Sequence, residues 1–304
     1  RADTVMIKVL LVHGGDSSER EVSLKSSSNI QKALIKSGYD LTIYDPFKDG
    51  NIRPWLKGID VVFPIIHGKG GEDGSLQKQL EEIGIPFVGS GSVSSSNCFD
   101  KIATYNIVND ILLPKTLLIN YKDTIDHAEY NLPFVLKPAK DGSSVDTFIV
   151  KNSNDLNTIN LKKVFKNHNN EMILQEHITG IEITVPIFIK EALPVIEIIP
   201  PIGQDFDYSN KYNGKTQELC PPKNVTLINQ KLAQKLALKV HKKMGCRGFS
   251  RSDFIIDDKN NIYFLEINTI PGMTEQSLFP KSAMQAGYSM ADIVQILVED
   301  ALTI

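Results

Sequence analysis

Residues 250–268, SRSDFIIDDKNNIYFLEIN, leave the chain less freedom than any other stretch. Two apolar runs are separated only by Asp258-Lys259-Asn260-Asn261. Such residues favour tight turns because Asn and Asp bond their own main chain and tolerate left-handed backbone. The pair therefore reads as a hairpin. With Lys259-Asn260 as a two-residue loop, Asp253 faces Glu266 and Arg251 faces Asn268. All four share one face, since side chains alternate along a strand, and Phe254 and Leu265 share the other.

Directly opposed residues bring their Cβ atoms to ~5 Å, where like charges repel. Two carboxylates and an amide oxygen converging there form a donor set for a hard divalent cation. Mg2+ is typically held by one or two carboxylates plus substrate phosphates, so a nucleotide partner is implied. The competing account is a solvated face on which Arg251 and Lys259 neutralise the acids. Phe254, Ile255, Leu265 and Ile267 want a buried sheet and favour the metal.

The rest of the chain sets the frame. At 304 residues it has room for two or three domains. A net charge of −3 and a pI near 6.1 offer no basic field to nucleic acid or an anionic membrane. Cys98, Cys220 and Cys246 are odd in number and lack CxxC spacing, which fits a reducing cytosol. The apolar run Val9–Val12 is far shorter than the ~20 residues of a membrane span. A cytoplasmic location is expected. Residues 1–5 precede the first methionine, Met6, and are expected to be added rather than native.

The first third alternates strands and helices, IKVLLVHGG followed by EREVSLKSSSNIQKALIKSG, which indicates a parallel sheet. Ligands of such sheets sit beyond the carboxyl ends of strands, where Gly14-Gly15 and His67-Gly68 fall. The middle is mostly strands, and the last third combines strands with a helix over 229–244 whose apolar face is Leu232, Leu236, Val240 and Met244. The expected division is 1–99, 100–182 and 183–304.

VLKPAKDGSSV places Lys137 at a strand end before a turn containing Ser143 and Ser144. Main-chain N–H groups of such a turn can cradle phosphate while the lysine adds charge, although an ordinary hairpin has the same look. In GGDSSEREVS, Ser18 and Glu21 read as a capping box, which leaves Glu19 without a structural duty.

Taken together, GGDSSEREVS, HGKGGEDG, LKPAKDGSSV, RSDFIID and LEINTIPGMTEQSL resemble the D-alanine–D-alanine ligases of the ATP-grasp fold, in order over essentially the whole chain from Met6. The resemblance implies a three-domain α/β (α+β) architecture, a parallel-sheet N-terminal domain with antiparallel sheets in the central and C-terminal domains. It implies ATP between the latter two and two Mg2+ (or Mn2+) ions on Asp253, Glu266 and Asn268. Lys101 and Lys137 match lysines that hold ATP phosphates. Gln175, Glu176, His177 and Ile178 match the adenine hinge, and Glu182 matches the ribose acid. Arg251 and the Gly272 amide match the groups that steady the transferred phosphate and the oxyanion. Glu19 matches the anchor of the first D-alanine's ammonium, bonded through Ser143 to Tyr212. His67 matches the histidine near the first substrate's carboxylate, and Ser277 with Leu278 the grip on the second's. DYSNKYNGKTQ matches a mobile loop carrying Lys211 and Tyr212. A homodimer is implied by analogy.

Two positions depart from the family. Asp146 stands where glycine is usual, which implies a stiffer loop or an added negative charge. Gln175 stands where many relatives have glutamate, which changes the side-chain contact to the adenine amino group and leaves the main-chain contacts from Glu176 to Ile178. The alternatives are an ATP-grasp carboxylate–amine ligase with another acceptor and a nucleotide-binding module without catalysis. Intact Arg251, Asp253, Glu266 and Asn268 oppose the latter. A dinucleotide oxidoreductase is discounted because VHGGDSSE lacks GxGxxG spacing.

Overall fold

Val9, Leu10, Leu11 and Val12 are completely buried, as expected of a strand covered on both faces. In the computed structural model, which describes residues 6–121, 132–142, 145–200 and 216–303, they belong to β1 (Lys8–Val12). β1 pairs in parallel with β2 (Asp40–Tyr44) and β3 (Val61–Pro64). The helix Arg20–Lys36 buries Ser23, Ser26 and Ser27 in its first half and Ile30, Ala33 and Leu34 in its second. The small serines bring its amino end close to the loop after β3. The helix Met290–Leu302 packs on Arg20–Lys36 and on β3, so the last helix of the chain closes the core of the first sheet.

A second sheet is antiparallel, in the order β4 (Thr116–Asn120), β7 (Glu171–Glu176), β5 (Phe134–Pro138), β6 (Phe148–Val150). One face packs Phe134, Leu136, Val150, Met172 and Leu174 against Val164 and Phe165 of the helix Leu161–Asn167. Alternation sends Val135, Lys137, Ile149 and Gln175 to the other face, where all four line a cavity.

The third sheet is also antiparallel, in the order β11 (Gln217–Leu219), β10 (Ile196–Ile199), β8 (Ile181–Phe188), β12 (Phe249–Ile256), β13 (Ile262–Asn268), with β9 (Glu191–Ala192) beside β8. The helix Leu227–Lys243 covers its back through Ala233, Ala237 and Val240. Leu232, expected on that face, is 44% exposed. The alanines admit close helix–sheet packing that a row of leucines would hold apart. Among the described residues no helix is long and apolar enough to cross a membrane.

Three local expectations change. The β12–β13 turn has three residues, with Asn260 at φ +64 and its N–H bonded to the Asp257 carbonyl, so Ile256 pairs with Ile262. A bulge beside Asp253/Phe254 then shifts the register back, and Arg251 faces Asn268 and Asp253 faces Glu266 as expected. The bulged residue is Leu265. It lines the cavity with Glu266, and Phe264 takes the core position opposite Phe254. Finally, no side chain caps the helix Arg20–Lys36. Instead Ser17 Oγ accepts the Glu19 N–H (3.2 Å) and donates to the His67 carbonyl (2.7 Å), tying the helix start to the loop after β3.

Candidate active site

Two cavities, of about 640 and 420 Å3, meet where the second and third sheets face each other. Lys101, Asp141, Glu182, Asp253 and Glu266 line both. The opposed acids of the hairpin therefore stand at the junction.

Their charges are matched closely. The Arg251 guanidinium grips Asp253 with two bonds, Nε to Oδ1 at 3.0 Å and Nη2 to Oδ2 at 2.9 Å, and Thr184 Oγ1 donates to Asp253 Oδ1. Burial works against the Arg251 charge, but Asp253, Glu266 and Glu72 outweigh it and hold its pKa above the ordinary value. Lys101, buried at the start of its helix, donates from Nζ to the Asp141 carbonyl (2.8 Å) and lies 3.7 Å from Glu266 Oε2. Asn268 Oδ1 accepts the Ile270 N–H at 2.7 Å. Burial pushes the Asp141 carboxyl up, against the Gly142 N–H, His168 and Lys101. Among the described residues no group of three or more His, Cys, Asp or Glu is arranged to hold a metal ion. The cation-ligand candidates remain two carboxylates and an amide. These are hard oxygen donors of the kind Mg2+ accepts when phosphates complete its shell.

The larger cavity is walled by the first helix and by the loop after β13. His67 lines it and is 3% exposed. Its Nδ1 is 3.1 Å from the Ile270 carbonyl, which can only accept, so Nδ1 carries hydrogen. Its Nε2 is 3.0 Å from Ser26 Oγ, which also receives the Met273 N–H. Asn29 Nδ2 donates to the Met273 carbonyl. The histidine expected beside a substrate carboxylate thus has both ring nitrogens engaged in fixing the Ile270–Met273 loop. Gly272 sits in that loop. A Cβ there would stand 2.8 Å from Ser277 Oγ, so the close approach requires glycine. Ser277 is the N-cap position of the helix Leu278–Gln285, and Ser277 and Leu278 line the cavity. Glu19, 8% exposed, lines it too, and its Oε2 lies 3.2 Å from where a Cβ on Gly142 would be.

The smaller cavity is lined by Lys137, Gln175, Glu176, His177, Ile178 and Glu182 with apolar Val135, Ile149, Ile181 and Leu265. Gln175 Nε2 donates to Tyr105 Oη and Thr116 Oγ1, each at 2.8 Å. Asp146 adopts φ +54, a conformation glycine takes freely and Asp tolerates. Its charge meets His168, with Nε2 at 2.9 Å, while His168 Nδ1 is 3.4 Å from Asp141.

Every expected site residue within the described chain lines one of the two cavities. Ser143, Ser144, Lys211 and Tyr212 lie outside the described residues. Sequence reasoning missed Glu72, Thr184 and Tyr105. Glu72 lies within the glycine-rich HGKGGEDG stretch, a signal that was present. Thr184 and Tyr105 carry none, because each acts through a partner distant in the chain.

A family model described as D-ala D-ala ligase C-terminus matches residues 116–299, and one described as D-ala D-ala ligase N-terminus matches residues 46–90. The D-alanine–D-alanine ligase of Thermotoga petrophila is 37% identical over 302 residues, covering 97% of each chain. The crystal structure of the Bacillus anthracis D-alanine–D-alanine ligase superposes with a TM-score of 0.86 at 31% identity, covering 98% of each chain. The same enzyme complexed with ATP gives 0.85 at 30% identity, over 98% of this chain and 97% of that one.

Proposed function

The chain belongs to the D-alanine–D-alanine ligase family, and from that premise we propose how its own residues divide the work of joining two D-alanines. The enzyme is an ATP-dependent ligase of cell-wall precursor synthesis. The observation that carries the residue assignments is the meeting of two cavities at Lys101, Asp253 and Glu266. One cavity has the apolar walls a purine needs, and the other is lined by polar groups suited to two amino acids.

ATP occupies the smaller cavity, its adenine between Val135, Ile149 and Leu265 and beside Gln175 to Ile178, its ribose bonded by Glu182. Lys101, Lys137, Ser144 and Lys211 receive the phosphates. Glu19, in a chain with Ser143 and Tyr212, anchors the first D-alanine's ammonium. The first carboxylate attacks the γ-phosphorus, ADP leaves, and an acyl phosphate results. Positioning and offset charge are the main demands of such a transfer, and Lys101 with Arg251 supplies positive charge where negative charge gathers. The second D-alanine's carboxylate lies on Ser277 and the Leu278 N–H at a helix amino end. Its amine, once deprotonated, attacks the acyl carbon. Arg251 and the Gly272 N–H receive the oxyanion, and phosphate departs with the bonding pair. His67 acts through the loop, fixing Ile270 and Met273 so that Gly272 is aimed.

Two Mg2+ or Mn2+ ions suit Asp253, Glu266 and Asn268 by donor type. When bound they offset the charge of the transferring phosphoryl group. The chain divides at about residues 99 and 182, forms a homodimer and works in the cytoplasm. Cys98 and Cys246, unbonded with sulfurs 3.7 Å apart, suit a reducing compartment.

The test is ADP release with ATP, Mg2+ and D-alanine, with L-alanine as control. Release dependent on D-alanine and absent with L-alanine is expected. A folded enzyme inactive with D-alanine, or faster with another amine, would overturn the assignment.

A further inference from the structure

The polarity of one buried amide is set by two neighbours that never face the cavity's contents. Gln175 is 2% exposed, yet it lines the smaller cavity. The oxygen and nitrogen of a glutamine amide have nearly the same shape, so only partners decide which points where. Here both partners are already committed as donors. The Tyr105 hydroxyl donates to the Leu265 carbonyl at 2.6 Å, and the Thr116 hydroxyl donates to the Pro114 carbonyl at 2.9 Å. A hydroxyl has one hydrogen and a carbonyl has none, so each hydroxyl can offer Gln175 only lone pairs. The amide must turn its NH2 to both, at 2.8 Å each, and its two hydrogens are then spent. What it has left is its carbonyl oxygen, an acceptor. The reverse orientation would set that oxygen against two oxygen lone pairs. Burial pushes the Tyr105 phenol above its ordinary range, so its hydrogen stays in place at all working pH values.

We propose that Tyr105 and Thr116 are positioning residues that fix Gln175 as an acceptor, so that the site selects a 6-amino purine over a 6-oxo purine. The inference rests on the nucleotide reading of this cavity. An acceptor oxygen pairs with the amino group of adenine and opposes the oxo group of hypoxanthine or guanine. The bulge that turns Leu265 into the cavity wall also presents the carbonyl that holds Tyr105, so base selection is coupled to the hairpin carrying Asp253 and Glu266.

The test compares ATP with ITP, which differ at position 6 alone as regards the purine's exocyclic groups, by phosphate release at saturating D-alanine. The wild-type enzyme should favour ATP by roughly tenfold or more in kcat/KM, the scale of one hydrogen bond turned repulsive. In the Tyr105→Phe/Thr116→Val variant the amide is free to flip. The preference should fall to within about threefold, through KM for ATP, with kcat little changed. Thr116→Val alone, on the edge strand β4, should show a partial loss and guards against a double variant that does not fold. Gln175→Leu sets the ratio expected with no amide. Wild-type discrimination retained in the folded double variant, or no discrimination by the wild type, would overturn the proposal. Calorimetric binding of ADP against IDP reads the same preference without turnover. Failure of ligase activity is thereby kept distinct from failure of base selection.

Discussion

Replacing Gly272 with alanine tests the packing of the acceptor end in a way the geometry makes quantitative. The added Cβ would stand 2.8 Å from Ser277 Oγ and 3.4 Å from Ser277 Cβ. The first distance is closer than packed atoms come, so the hydroxyl must move. It is not free to do so cheaply. Ser277 Oγ accepts the Thr274 N–H at 3.0 Å and lies 2.7 Å from Thr274 Oγ1. Giving up both bonds costs ~1 kcal/mol each, which agrees with the ~1–3 kcal/mol typical of an overfilled site. A destabilisation of about 2 kcal/mol is expected by urea unfolding. Because Ser277 begins the helix Leu278–Gln285, the KM for the second D-alanine should rise more than the KM for ATP. Ser277→Ala removes the 2.8 Å contact and leaves the 3.4 Å one. Gly272→Ala combined with Ser277→Ala should therefore be less destabilised than the two separate costs imply, with a coupling near 1 kcal/mol. Additive costs, within ~0.3 kcal/mol, or a Gly272→Ala enzyme with wild-type stability and acceptor KM, would refute the steric reasoning.

Glu266→Gln should lower kcat by about a hundredfold or more with little change in melting temperature. Its side chain is 29% exposed and Lys101 Nζ lies 3.7 Å from its Oε2; full activity would remove it from the metal set. His168→Ala removes the ring that lies 2.9 Å from Asp146 and 3.4 Å from Asp141, at the cavity proposed for ATP. Initial rates should show KM for ATP rising roughly fivefold, with kcat less affected. His241 is buried with Nδ1 2.7 Å from Ser250 Oγ, and burial, with Lys242, pushes its pKa down to about 4. The unfolded chain then binds a proton that the native state refuses. Stability is full above pH 6.5 and is lost as pH falls towards 4, by ~3 kcal/mol across that window. His241→Gln should flatten this part of the stability–pH curve in urea titrations, and an unchanged curve would exclude His241 as its source.

The chemistry was more legible than the packing that aims it. The facing of Asp253 and Glu266 followed from strand alternation and a turn, yet the reasoning passed over two compensating irregularities. A three-residue turn displaces the register and the bulge at Leu265 restores it. A sequence window cannot see a bulge whose carbonyl is bonded by a Tyr105 hydroxyl 160 residues away. The same limit hid the role of His67. Its place at a strand's carboxyl end was readable, while its bond to Ile270, 203 residues on, was not. The long helix departs at one position for another reason. Val240 and Met244 are buried and Leu236 packs on the same core as expected, while Leu232 is 44% exposed and Ala233 and Ala237 make the contact there, which lets the backbone come closer. Asp146 looked like an added charge beside the Gly-Ser-Ser turn and proves to lie 2.9 Å from His168 Nε2.

The proposed reaction runs through an acyl phosphate formed where the two cavities meet. The direct measurement is turnover with D-alanine labelled with 18O in both carboxyl oxygens, followed by mass analysis of the inorganic phosphate. Attack of the carboxylate on ATP leaves one labelled oxygen bridging carbon and phosphorus, and departure of phosphate carries it away. One 18O atom in the phosphate is expected for each dipeptide formed. Unlabelled phosphate, with all the label retained in the amino acid and dipeptide, would contradict the proposed reaction.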